Sequence, residues 1–182
     1  MSEGGPSRSS GEPPPRPELA VEVIRHCGVW EQSAISDATV VLAAHAAFAE
    51  APPQTPALYE VTIVLTDDTE MRELNRDWRG KDQPTNVLSF PSGDTPGEPG
   101  ALGDIVIAYE TARAEADDER ISLEDHASHL VVHGVLHLLG FDHMQDDEAE
   151  KMEDLERKAL ASIGIADPYA GNEAGLAEVP SS

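Results

Sequence analysis

Three histidines, His133, His137 and His143, stand within eleven residues of one another and are the residues best suited to chemistry in this chain. His133 and His137 are four apart, so on a helix they lie one turn apart on the same face. The surrounding segment, LVVHGVLHLLG, places Leu130, Val131, Val132, Val135, Leu136, Leu138 and Leu139 around almost the whole circumference. That pattern predicts a buried helix. Two imidazoles in such a helix are hard to satisfy with hydrogen bonds alone, whereas one metal ion satisfies both. Gly140 suits the left-handed residue that ends a helix, and Phe141 and Asp142 turn the chain so that His143 reaches the same point. Three neutral imidazoles leave one coordination position open. That marks a catalytic zinc site with one ion per chain, since closed structural sites have four protein ligands. Nickel, copper and iron share the taste for imidazole. The competing reading is two core histidines and one on the surface; the spacing and the intervening glycine favour the metal.

The spacing matches the HExxHxxGxxH motif of metzincin proteases, but this chain reads HGVLHLLGFDH. Ligand positions and glycine coincide, while Gly134 stands where the protease has its general-base Glu. The zinc site is retained and a peptide substrate is disfavoured.

The elements that must position these residues follow from periodicity and capping. Strands are predicted over Leu19–Ile24, Leu58–Leu65, Val87–Phe90 and Asp104–Ala108. In the second of them Tyr59, Val61, Ile63 and Leu65 alternate with Glu60 and Thr62. The last is apolar on both faces and belongs in the centre of the sheet. Helices are predicted from Ser36 to about Ala49, Asp68 to Trp78, Tyr109 to Glu119, from Ser122 through the histidines, and Glu148 to Ile163. A Gly/Pro loop is expected over Ser92–Leu102. The fold class is α+β: one domain over residues 18–170, a mixed sheet of about four strands packed with helices, and the zinc site at the end of a central buried helix. Residues 1–17 are rich in Gly, Pro and Ser and are expected to be a disordered extension, as is the tail 171–182.

Composition narrows the class. Twelve Lys+Arg against 35 Asp+Glu give a net charge of −23, which taken alone argues against a nucleic-acid partner. The distribution is uneven. MQDDEAEKMEDLER (144–157) is mostly acidic and reads as a solvated helix face, whereas RELNRDWRGK (72–81) is locally basic. Cys27 is the only cysteine, so no internal disulfide forms. The N-terminus has no apolar core of a secretory signal, and no apolar run is long enough to span a bilayer. A soluble cytoplasmic protein with no membrane partner is expected.

HGVLHLLGFDH resembles the signature of the YbeY family of bacterial endoribonucleases, also described as rRNA maturation factors. The resemblance runs from about Tyr59 to Tyr169. It takes in LNRDWRGKDQPTNVLSFP (Leu74 to Pro91), LGDIVIA (Leu102 to Ala108), His126 and His129, the acidic DDEAEKME, and DPY at Asp167 to Tyr169. It implies zinc on His133, His137 and His143, a functional arginine at Arg79, and single-stranded RNA as substrate. It further implies maturation of the 16S rRNA 3′ end, with the small ribosomal subunit and its assembly factors as partners and no role on DNA. The Arg79 guanidinium would hold two phosphoryl oxygens at once, with Lys81 and Arg76 adding phosphate contacts; the alternative for Arg79 is a surface ion pair. Asp142 is either a turn residue or a group that orients a ligand imidazole or accepts a proton. His126 and His129 fall near the metal-facing side of the helix and either line the groove or lie on the helix surface. Trp78 and Phe90 have faces on which bases stack, but core packing is expected for both. Two other classes stay open: a zinc hydrolase of another substrate, and a ribosome-assembly factor without catalysis.

Overall fold

Four strands build the sheet of the computed structural model, which describes residues 11–93 and 95–170. They are β1 (Glu18–Arg25), β2 (Leu58–Thr66), β3 (Val87–Pro91) and β4 (Gly100–Ala108), in the spatial order β1-β2-β4-β3. β1, β2 and β4 are parallel, and β3 runs antiparallel along the outer edge of β4. The sheet is therefore mixed, with β4 internal as its apolar run requires. β4 begins at Gly100, so the loop expected to reach Leu102 is shorter. The early part of that segment pairs as strand because Ala101 and Gly103 continue the register with Glu60 and Val61 across a bulge.

Five helices complete the domain: α1 (Asp37–Glu50), α2 (Asp68–Arg79), α3 (Tyr109–Glu119), α4 (Leu123–Leu138) and α5 (Asp146–Ser162). Their starts are where polar caps place them. Ser36 Oγ accepts the Thr39 N–H at 3.2 Å, Asp67 Oδ1 accepts that of Glu70 at 2.9 Å, and Ser122 Oγ accepts that of Asp125 at 3.0 Å. The alternation of the strands decides which helices they meet. Tyr59, Val61, Ile63, Leu65, Ile105 and Ile107 point to the face covered by α1 and α4, with α5 packed behind them. Val64, Leu88, Val106 and Ala108 point to the other face, where Met71 of α2 is buried. β2 is half-buried only in its first half; from Ile63 onward α2 covers its second face as well.

Met71, Leu74, Asn75 and Trp78 share one stripe of α2. Met71 and Asn75 are buried, but Trp78 is 71 % exposed, contrary to the core packing expected of it. Trp78 lies one residue from the end of the helix, beside the edge strand, with its ring 5.8 Å from that of half-buried Phe90. A short 3-10 turn at Trp30–Gln32, not foreseen from the sequence, buries Trp30 completely. Residues 11–17 form no helix or strand, and the rest of the two expected terminal extensions, 1–10 and 171–182, lies outside the described residues. Among the described residues no helix is long and apolar enough to cross a membrane.

Candidate metal centre

α4 is buried along most of its length, from Leu123 to Leu138. Its height above the sheet is set by Gly134, where a Cβ would stand 2.8 Å from Ile105 Cγ2 and 2.9 Å from Ile105 Cδ1. The position that carries Glu in the protease motif therefore faces the sheet here, and there is no room for a side chain. The Gly134 carbonyl accepts the Ser89 hydroxyl at 3.4 Å, tying the helix to β3. At the C-terminal end Gly140 has φ +104°, open to glycine and strained for other residues. The chain reverses there and brings His143 back over the last turn.

His133, His137 and His143 thereby meet: one nitrogen from each lies within 4.8 Å of the others. The two helical imidazoles are half-buried, and that of His143 is exposed. Burial, followed by repulsion from His133 and His143, lowers the His137 pKa to about 4, so this imidazole is neutral at physiological pH with a lone pair to offer. The donor set fits a divalent metal of the zinc type. The three rings look into an open cavity of about 410 Å³, lined also by residues 85–89 along β3 and by Arg79, Asp142 and Met144.

Arg79 is thus on the same cavity as the histidines, at the last position of α2. Gly80 caps that helix and donates its N–H to the Arg76 and Asn75 carbonyls. Among the described residues the side chains of Arg79 and Lys81 have no ion-pair partner, so the surface ion pair considered for Arg79 is absent there. Arg76 is elsewhere: it pairs with Asp77 at 3.2 Å and lines a separate depression with Arg72 and Asp82. Asp142 does the work of a turn residue, its Oδ1 accepting the His143 N–H at 2.7 Å. It is also the only carboxylate among the described residues lining the cavity.

Two carboxylates that the sequence reading missed organise the histidines of α4. Glu156 of α5 is 1 % exposed. Its Oε1 lies 2.5 Å from His133 Nδ1, its Oε2 lies 3.0 Å from His129 Nε2, and Oε2 also accepts the Tyr169 hydroxyl. Burial would raise the Glu156 pKa, but the hydrogen bonds from His129 and His133 outweigh it and bring it down to about 2. The carboxylate is ionised and can only accept, so His133 Nδ1 carries the proton and Nε2 keeps its lone pair. Burial and then the bond to Glu156 raise the Tyr169 hydroxyl well above the usual range, which keeps it a donor. Glu115 of α3 plays a similar part for His126: its Oε2 meets His126 Nε2 at 3.1 Å and accepts from Asn86 Nδ2 at 3.0 Å. His126 is buried and His129 half-buried, so neither takes the helix-surface alternative, and neither lines the cavity of the three histidines. A sequence signal for Glu156 did exist. It falls on the stripe Met152, Glu156, Ala159, Leu160, the buried face of α5.

The family model for Endoribonuclease YbeY matches residues 28–164. The chain belongs to the YbeY family. The match begins well before Tyr59 and takes in the 3-10 turn and α1 as well. Among curated relatives, Endoribonuclease YbeY of Paramagnetospirillum magneticum is 52 % identical over 159 residues, covering 84 % of this chain and 95 % of the relative. That of Azorhizobium caulinodans is 52 % identical over 156 residues, covering 84 % and 97 %. The solution structure of TM1509 from Thermotoga maritima has the same fold, with a TM-score of 0.52 at 20 % identity, over 90 % of this chain and 99 % of that one. The family match takes in β2, β3, β4, α4 and the histidine cluster together.

Proposed function

We propose that this chain is a zinc-dependent endoribonuclease that cleaves single-stranded RNA, with His133, His137 and His143 as the metal ligands and Arg79 as the phosphate-binding catalytic residue. The observation that carries the reading is the shared cavity: an arginine without an ion-pair partner among the described residues and three converging imidazoles line one open space. Membership of the YbeY family supports the substrate. Bound there, zinc would supply a Lewis acid and a water acidified towards neutral pH. The protein's own groups would do the rest. Glu156 holds the His133 ring with Nε2 free, burial keeps His137 neutral, and Gly140 brings in His143. Phosphodiester hydrolysis builds negative charge on the phosphoryl oxygens, and the planar guanidinium of Arg79 matches two of them. Asp142, beside His143 on the same cavity, would accept a proton released from water. In the cell the substrate would be rRNA, including the 16S 3′ end, handled on the small ribosomal subunit in the cytoplasm.

The test pairs metal analysis with cleavage of a single-stranded RNA oligomer. His137→Ala should lose both the metal and cleavage. Arg79→Glu should keep the metal and lose about 100- to 1,000-fold in kcat, the usual effect of removing a group that stabilises transition-state charge. Equal RNA cleavage by all three proteins would point to a contaminating nuclease and overturn the reading. Casein offered to the same proteins should stay intact.

A further inference from the structure

Trp78 is the largest apolar side chain left in water on this protein, at 71 % exposure, and its position is specific. It directly precedes Arg79, which lines the metal cavity. It sits edge-on to Phe90, 5.8 Å between ring centres, and Phe90 follows Ser89, another residue of that cavity. β3 is the outer strand of the sheet, so Ser89 and Phe90 point to its two faces. The metal cavity opens on one face of this edge and the indole lies on the other. The surroundings are basic, although the chain is strongly acidic: residues 72–81 hold Arg72, Arg76, Arg79 and Lys81, of which the last two have no ion-pair partner among the described residues.

We propose that Trp78, propped on Phe90 at the sheet edge, stacks on a base of the RNA strand next to the phosphate held by Arg79. The proposal rests on the endoribonuclease reading and deepens it. A positive rim combined with an exposed aromatic face is how proteins hold a single strand without reading its sequence. A strand lying in the cavity would leave it over β3, and there the one large exposed π surface meets it. Bases in a duplex are already stacked on each other and cannot use that surface. Trp78 is therefore a selectivity residue for unpaired RNA, and its contribution falls on binding.

The chain's two tryptophans make the test direct. Trp30 is fully buried, its Nε1 donating to the Thr66 carbonyl at 2.7 Å, so quenching by added RNA reports Trp78. The metal-loaded full chain is titrated with a 2′-O-methyl single-stranded oligonucleotide, checked by gel to stay intact over the titration, and with the same sequence in a duplex. The single strand should quench emission and the duplex should not. Trp78→Ala should raise Kd for the single strand, and KM for its cleavable counterpart, on the order of 5- to 150-fold, the range for loss of one stacked base. Trp78→Phe should recover most of that loss. Unchanged Trp30 emission establishes that each variant is folded; if Trp78→Ala does not fold, Trp78→Leu takes its place. Binding by a folded non-aromatic variant within about twofold of wild type would overturn the proposal, with the endoribonuclease reading left standing. Failure of wild type to bind any single strand would overturn both.

Discussion

One helix carries four histidines and treats them in two ways. In the N-terminal half of α4, His126 and His129 end on carboxylates: His126 on Glu115 at 3.1 Å and His129 on Glu156 at 3.0 Å. In the C-terminal half, His133 and His137 face an open cavity with His143. Residue type is the same in the two halves, and both spacings, three residues and four, put a pair on one face of the helix. The difference lies in what packs over them. α3 and α5 cover the first pair, whereas β3 and the turn after Gly140 leave the second pair beside an open space. A histidine here is left open to an incoming group because a neighbouring element is absent. Glu156 joins the halves by touching one histidine of each.

Replacing that joint should break the comparison most severely. Glu156→Gln keeps size and burial but cannot accept from three donors at once. His133 then loses the partner that fixes its tautomer, and zinc affinity measured by chelator competition should fall about 10- to 100-fold, the range for second-shell partners of ligand histidines. In protein labelled with 15N at the imidazoles, His133 should shift from one tautomer to a mixture, a signal that simple loss of stability would not produce. Tyr169→Phe removes one of the three donors and should give the same changes at smaller size. If Glu156→Gln holds zinc as wild type does, Glu156 serves only to satisfy these half-buried histidines.

Gly134→Ala presses on the second pair alone. The new Cβ would stand 2.8 Å from Cγ2 of Ile105, a methyl fixed on the branched Cβ with little freedom to move, so α4 must lift from β4 beside His133 and His137. Overpacking of this kind costs about 1–3 kcal/mol, measurable by urea denaturation. Ile105→Val removes the second close contact, Cδ1 at 2.9 Å, and leaves that at Cγ2, so it should return only part of that stability in the double variant. A stable Gly134→Ala protein with unchanged metal affinity would mean that the helix is not held at this height by the glycine.

The contrast between the halves also marks how far the sequence could be read. Local features were legible. The caps at Ser36, Asp67 and Ser122, the alternation of β2 and the apolar wrap of α4 depend on neighbours a few residues away. The meeting of His133, His137 and His143 needed only one turn of helix and a glycine stop. What failed depended on distant packing. Glu156 lies in a run so acidic that it reads as solvated, and only the docking of α5 onto α4 shows that it is buried. Trp78 has the right phase for the core of α2, but periodicity does not say where the sheet ends. Nor does spacing show that Arg79 and the histidines line one cavity, since α2 and α4 meet it from different faces of the sheet.

The mildest test lies in the first half of the helix. His126 is 3 % exposed, its Nε2 bonds Glu115, and its Nδ1 is buried without a partner. An orphaned buried nitrogen costs about 1–3 kcal/mol, while a hydrogen bond returns about 0.5–1.5 kcal/mol, or up to 3 with a charged partner. His126→Phe keeps the volume and removes both. The Glu115 side chain is 34 % exposed, so water can replace what it loses. Thermal and urea unfolding should therefore differ from wild type by less than about 1.5 kcal/mol, and zinc content should not change. Loss of zinc on this substitution would erase the distinction between the halves, because it would mean that the Glu115 network holds the metal site as firmly as Glu156 does. Preserved zinc with a small change in stability would show that the first pair supports the fold and the second pair holds the metal.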